Sequence, residues 1–236
     1  MRKNKDRVVI AIDGPSGAGK STVARLLAER LGYLYVDTGA MYRAVALKAK
    51  QAALDFNDEK GLESLCRSIE IEFQRDESGI RVYCNGEDVT EDIRRPSMSL
   101  AASEISRVGV VRESLVVLQR EFGQKGGVVL EGRDIGTVVF PGADLKFFLE
   151  ADPRIRGRRR YEELKARGQR ADLNGTIREI GRRDANDRAR ALAPLRKAED
   201  AVLIDTTHLG VDEVVEKMVR IYRGKVEGAK GPSGEK

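Results

Sequence analysis

Eight consecutive residues, Gly14-Pro15-Ser16-Gly17-Ala18-Gly19-Lys20-Ser21, fit the pattern G-x-x-x-x-G-K-[ST]. In that pattern glycines let the backbone curl so that successive N–H groups face phosphate oxygens. The run lies between a β-rich segment, Arg7 to Ile12, and a segment carrying apolar Val23, Leu26, Leu27 and Leu31 at helical spacing, closed by Gly32. A strand before and a helix after is the context the chemistry requires, because the helix N-terminus turns its positive dipole end on the same anion. Lys20 is expected to reach β- and γ-phosphates, and the Ser21 hydroxyl to meet the Mg²⁺ that accompanies ATP. Gly14 to Thr22 therefore read as the cradle of a nucleoside triphosphate. A cradle of this kind serves kinases, switches, translocases and ATPases alike. The acceptor has to be sought elsewhere.

Three further clusters bear on it. Asp37-Thr38-Gly39-Ala40-Met41-Tyr42-Arg43 follows a second β-rich run, and ligands of open α/β sheets bind at the carboxyl ends of strands. Arg43 is placed to hold an acceptor phosphate; the alternative is that Asp37 or Thr38 caps the next helix while Arg43 is solvated. Glu131-Gly132-Arg133-Asp134, continuing to Pro141, again follows a strand-like run, so Arg133 and Asp134 point towards the same crevice unless they form a surface ion pair in a turn. The third cluster is cationic: Arg154, Arg156, Arg158, Arg159 and Arg160, then Arg182, Arg183, Arg188 and Arg190, with Asp184 and Asp187 between them. A solvated helix face is one reading. Arginine predominates over lysine, however, and its planar fork suits bidentate phosphate recognition. His208, the only histidine, is a poor candidate for a catalytic base.

The elements needed to position these residues can be read in outline. The 236 residues suffice for one core with inserts. A composition 41% hydrophobic and 34% charged, with no apolar run near the length of a bilayer span, speaks against a membrane protein. The basic Met1 to Arg7 leads straight into a strand without the apolar region of a signal peptide, and a cytoplasmic location is expected. Cys66 and Cys84 are expected as free thiols. The net charge of +5 suits either a nucleic-acid binder or a phosphate-bearing small substrate. Runs at Arg7 to Ile12, Leu34 to Val36, Val128 to Glu131, Leu145 to Leu149 and Val202 to Ile204 read as buried parallel strands with helices between them. From Met41 to Val110 the rhythm changes to a helix, Met41 to Ala53, and alternating runs around Ile69 to Phe73 and Ile80 to Cys84, closed by Asn85-Gly86. That stretch reads as an inserted subdomain. Arg154 to Arg190 reads as a helical lid with Gly157 and Gly168 as possible hinges, and the tail beyond Tyr222 as disordered.

Taken jointly, Ile12-Asp13 with the phosphate loop, Asp37 to Arg43, Gly132 to Pro141 and Arg183-Asp-Ala-Asn-Asp-Arg-Ala-Arg190 closely resemble the bacterial cytidylate kinase family, from about Val8 to Tyr222. The resemblance implies an α/β fold: a P-loop NTPase core with a parallel β-sheet flanked by helices (7–37, 111–153 and 191–224), a monophosphate-binding insert (38–110) and a mobile lid (154–190). Residues 225–236 would be a disordered tail. It implies ATP with Mg²⁺ as donor, CMP and dCMP as acceptors, and a monomer with no nucleic-acid or membrane partner. It assigns Ser103, Arg112 and Asp134 to the cytosine, Arg183 and Asp187 to the sugar, and Arg43, Arg133 and Arg190 to the acceptor phosphate, with Thr38 nearby. Arg159 and Arg160 are the lid arginines for the triphosphate. The chemistry agrees, since cytosine offers an amine that donates and ring atoms that accept, matching a carboxylate beside an arginine and a hydroxyl.

Overall fold

The computed structural model describes residues 8–76 and 79–227. In chain order these form β1 (Val9–Asp13), α1 (Lys20–Leu31), β2 (Leu34–Asp37), α2 (Thr38–Gln51), α3 (Glu59–Arg67), β3 (Ile71–Asp76), β4 (Gly79–Cys84), β5 (Glu87–Asp88), α4 (Pro96–Ile105), α5 (Gly109–Gly123), β6 (Val128–Gly132), β7 (Leu145–Glu150), α6 (Pro153–Ala166), α7 (Leu173–Ala189), β8 (Val202–Asp205) and α8 (Val211–Glu227). A 3₁₀ turn covers Asp92–Arg94 and a π-helical turn Ile135–Val139.

Five strands form one parallel sheet in the order β2-β6-β1-β7-β8. Their near-continuous apolar runs are what burial on both faces demands. Because side chains alternate along a strand, the sheet feeds two cores. Ile10, Ile12, Phe147 and Leu149 pack with α1 and α8, while Ala11, Val36, Val128 and Leu130 pack with α2, α3, α4 and α5. The second core also takes in Ile71, Val82 and Cys84 of the antiparallel β3-β4-β5 sheet. The 38–110 stretch thus shares its hydrophobic core with the main sheet. Cys66 and Cys84 lie in it as free, buried thiols, and burial raises both their pKa values. Among the described residues no helix is long and apolar enough to cross a membrane.

Local signals account for the element ends. Gly32 ends α1 in the left-handed region at φ 66°, and Asn85-Gly86, both at positive φ, turn β4 into β5. Helix α2 starts at Thr38, three residues ahead of the expected Met41, because the Asp37 carboxylate accepts the Ala40 N–H at 2.9 Å and caps it. At the chain end the expectation of disorder beyond Tyr222 is corrected. Helix α8 runs to Glu227, and Val226 packs against the core on the α1 face, so the apolar stripe lasts one turn longer than expected. Residues 228–236 of that tail lie outside the described residues, as does Arg7 at the start of the first strand.

Candidate active site

The phosphate loop joins β1 to α1 through strained backbone that only glycine tolerates. Gly14 sits at φ 146°, where a Cβ would lie 2.1 Å from the Leu149 carbonyl oxygen, and Gly19 at φ 88° caps α1. Gly14 and Pro15 thus stand behind the loop. Every other residue from Ser16 to Thr22 lines a cleft of about 1000 Å³. The Lys20 ammonium is buried and donates to the Pro15 carbonyl oxygen at 2.7 Å. Burial, then the charge of Arg133, lowers its pKa to about 7.

Opposite the loop the cleft is walled by the carboxyl ends of β2 and β6, by α4, and by α6 and α7. Thr38, Arg43, Ser103, Arg112, Arg133, Asp134, Arg159, Arg160, Arg183, Asp187 and Arg190 all line it, so of the sequence-predicted set only Gly14 and Pro15 do not. Arg133 and Asp134 do not form a surface pair in a turn. Arg133 donates through Nε to Asp187 at 2.9 Å and through Nη2 to the Ser16 hydroxyl at 2.8 Å. Asp134 instead pairs with Arg112, which also donates to the Ser106 carbonyl oxygen at 3.2 Å and lies over the Tyr42 ring, 5.8 Å from its centroid. Arg43 is neither solvated nor free: it pairs with Asp37 at 2.9 Å, beside the cap that the same carboxylate provides.

The cationic stretch resolves by helical period. Arg159 and Arg160 of α6, with Arg183 of α7 and Arg190 just beyond its end, face the cleft, whereas Arg154, Arg158, Arg182 and Arg188 are exposed. Both readings of the run therefore apply, to different residues. Arg159 donates to the carbonyl oxygen and hydroxyl of Thr206, at 2.6 and 3.1 Å, and Arg160 pairs with Glu163 at 2.8 Å. Of the two expected hinges, Gly157 lies inside α6, where its missing side chain lets Ile177 of α7 approach; Gly168 follows α6 at φ +68°. His208 is exposed and does not line the cleft.

Burial dominates the electrostatics. It lowers the pKa of Arg183 to about 10, and lowers Arg190, while for Asp187 the charges of Arg133 and Arg190 outweigh burial and hold the carboxyl below its ordinary value. Burial raises Asp134 despite Arg112, and raises Glu131, with Asp37 adding to the effect. The sequence reading assigned no role to several acids found here. The buried Asp13 ends β1 and accepts the Ile135 and Gly136 N–H groups at 2.8 and 2.7 Å, and burial raises its pKa to about 7. Glu131 near the end of β6 accepts from Tyr35 at 3.0 Å, with the Ser21 side chain close by. One signal was available: Asp13, Asp37 and Glu131 are acids at the carboxyl ends of three adjacent strands. For Arg156 and Asp184, both buried, the sequence carried no such signal.

A phosphate-binding loop with its lysine, set across a cleft from a wall of arginines at the carboxyl edge of a parallel sheet, defines a P-loop kinase. A solved gluconokinase from Sinorhizobium meliloti 1021 has the same overall fold, at 14% identity and a TM-score of 0.50 over 97% of this chain and 98% of its own. The chain belongs to the cytidylate kinase family, whose description matches residues 10–224. It is 56% identical over 215 residues to the cytidylate kinase of Syntrophotalea carbinolica, covering 91% of this chain and 92% of that one. It is 53% identical over 225 residues to that of Geobacter sp. strain M21, covering 95% and 97%. The chain is accordingly a nucleoside monophosphate kinase that phosphorylates CMP.

Proposed function

We propose that ATP lies along the phosphate loop and CMP or dCMP between α4, the β6 end and α7, and that the acceptor phosphate oxygen attacks the γ-phosphorus in line. A new oxygen–phosphorus bond forms as the bond to the ADP oxygen breaks, with no covalent intermediate on the protein. Lys20, Arg133, Arg159, Arg160 and Arg190 neutralise the charge that spreads over the moving phosphoryl group. Arg43, Arg133 and Arg190, with Thr38, hold the acceptor phosphate; Arg183 and Asp187 hold the sugar; Ser103, Arg112 and Asp134 read the base. The Ser21 hydroxyl, which lines the cleft beside the buried Glu131, is a hard oxygen site that suits Mg²⁺ on the triphosphate. Held there, the ion would offset the negative charge of the triphosphate.

One observation carries the acceptor assignment. Arg43, Arg183 and Arg190 each present a buried Nε with no partner among the described residues. Unsatisfied buried donors are rare, and guanidinium groups converging on one cleft are suited to a phosphorylated ligand. The test is a panel of nucleoside monophosphates with ATP. Diphosphate and ADP should appear with CMP and dCMP and far less with UMP. Equal turnover of UMP would remove the base assignment, and no diphosphate with any acceptor would remove the reading.

Two further outcomes are expected. Binding of ATP at roughly pH 8 should take up protons, because Lys20, lowered to about 7 by burial, is mostly neutral there until the triphosphate raises it again. Uptake should shrink towards pH 6, where the ammonium is already charged. Calorimetry in buffers of differing ionisation enthalpy reads this directly, and a buffer-independent heat at the higher pH would contradict it. Second, the largely exposed stretch 165–174, spanning the end of α6, the connection and the start of α7, should lose protease sensitivity with ATP and CMP together more than with either alone, since closure needs both ligands. Cleavage unaffected by the pair would argue against a lid.

A further inference from the structure

The base of the α6–α7 hairpin is fastened to the phosphate loop by a buried ion pair that none of the roles above uses. Arg156, near the start of α6, and Asp184, near the end of α7, pair directly and are 3% and 2% exposed. Both also hold the main chain of Ser16. Asp184 Oδ1 accepts the Ser16 N–H at 3.0 Å, and Arg156 Nη1 donates to the Ser16 carbonyl oxygen at 2.8 Å. With Arg133 on its hydroxyl, Ser16 is bonded through amide, carbonyl and hydroxyl to three separate elements. The backbones are as close: a Cβ on Gly17 would lie 2.8 Å from the Arg156 carbonyl oxygen, and one on Gly157 2.3 Å from Ile177 Cγ1.

For stability alone, a buried ion pair is no better than an apolar pair of the same size, because desolvation offsets the attraction. What the pair does supply is direction and register. Asp184 shares α7 with Arg183 and Asp187, both of which line the cleft. We infer that Asp184, with Arg156 as its counter-ion, is a positioning residue that locks α7 to the phosphate loop, so that Arg183 and Asp187 meet the acceptor in register with Lys20. The base of the hairpin stays on the loop during closure, and movement belongs to the exposed far end at 165–174. The inference rests on α7 being an acceptor-binding helix.

The experiment is a mutant cycle on the full chain, measuring kcat and KM for CMP, ATP affinity without CMP, and the thermal melt. Asp184→Asn should lower kcat/KM for CMP about 30- to 100-fold, the scale on which small misplacement costs rate, with ATP affinity held within roughly threefold. In an Arg183→Ala background the same substitution should cost several-fold less than in wild type, because one of the two groups it positions is gone. Equal losses in both backgrounds, or no loss in the first, overturn the inference. If Arg183→Ala alone leaves CMP kinetics intact, the acceptor reading of α7 falls and takes the inference with it. Asp184→Asn strands a buried arginine, so Arg156→Met with Asp184→Leu serves as the second variant, leaving no buried charge. It should still melt cooperatively, several degrees lower because the Ser16 N–H and carbonyl lose their partners, and should still lose CMP turnover. Wild-type kinetics in this variant, or loss of its cooperative melt, assigns the pair to folding and overturns the inference.

Discussion

Lys20→Ala is expected to lower kcat about 10³-fold, a loss of roughly 4 kcal/mol of transition-state stabilisation. The ammonium sits at the start of α1, lining the cleft with the loop amides, where a fixed charge in a water-poor site acts most strongly on developing phosphoryl charge. Its burial predicts the companion result. Desolvation already disfavours the charged form, and among the described residues Nζ bonds only to a loop carbonyl, that of Pro15. Removing it should therefore leave the melting temperature unchanged or slightly raised. Single-turnover rates at saturating ATP and CMP, with a thermal melt alongside, test both parts. Activity within about tenfold of wild type, or 1.4 kcal/mol, would deny Lys20 its role. Because the proton taken up on ATP binding goes to Lys20 itself, that uptake should disappear in this variant.

The second large effect concerns specificity. Asp134 presents a carboxylate in the cleft with one oxygen on Arg112 and the pair nearly dry, at 9% and 6% side-chain exposure. The other oxygen, which makes no hydrogen bond among the described residues, can accept the cytosine amine, and the same oxygen would face the uracil carbonyl with like partial charge. Discrimination then rests partly on repulsion. Asp134→Asn keeps the size and turns an acceptor into a donor, so CMP should suffer while the penalty on UMP shrinks. One good base contact is worth ~1–3 kcal/mol, and the ratio of kcat/KM for CMP over UMP should narrow by roughly ten- to a hundredfold. Arg112 and Ser103 retain the rest of the preference. The substitution also weakens the partner of a buried guanidinium, so the melt will fall. Measuring both substrates on the same preparation removes that common factor. A ratio equal to wild type would take Asp134 out of the base pocket.

What the sequence determined by itself was whatever depends on neighbours along the chain. The phosphate loop is legible because glycines, a lysine and a hydroxyl at fixed spacing between strand and helix are a local requirement, and the observed left-handed glycines meet it. The five strands were legible because burial on both faces leaves runs of apolar residues. The Asp37 cap and the Asn85-Gly86 turn act over two or three residues, and both could be anticipated from residue type. The joint motifs, through their resemblance to one family, named the residues that line the cleft.

Tertiary structure alone decided who pairs with whom. Arg133 reaches Ser16 across 117 residues of sequence, and Ser16 reaches Asp184 across 168; no periodicity carries partners that far apart. The twelve arginines from Arg154 to Arg190 are chemically alike in the sequence. Which of them face the cleft, which are exposed and which one, Arg156, is buried depends on where α6 and α7 rest against the loop. Asp13 and Glu131 are unremarkable acids at strand ends until a parallel sheet stacks those ends side by side, burial raises their pKa values, and the Ile135 and Gly136 amides and the Tyr35 hydroxyl come within reach. Chemistry that depends on residue type and spacing is written along the chain. Chemistry that depends on removing charges from water exists only once the chain has folded around them.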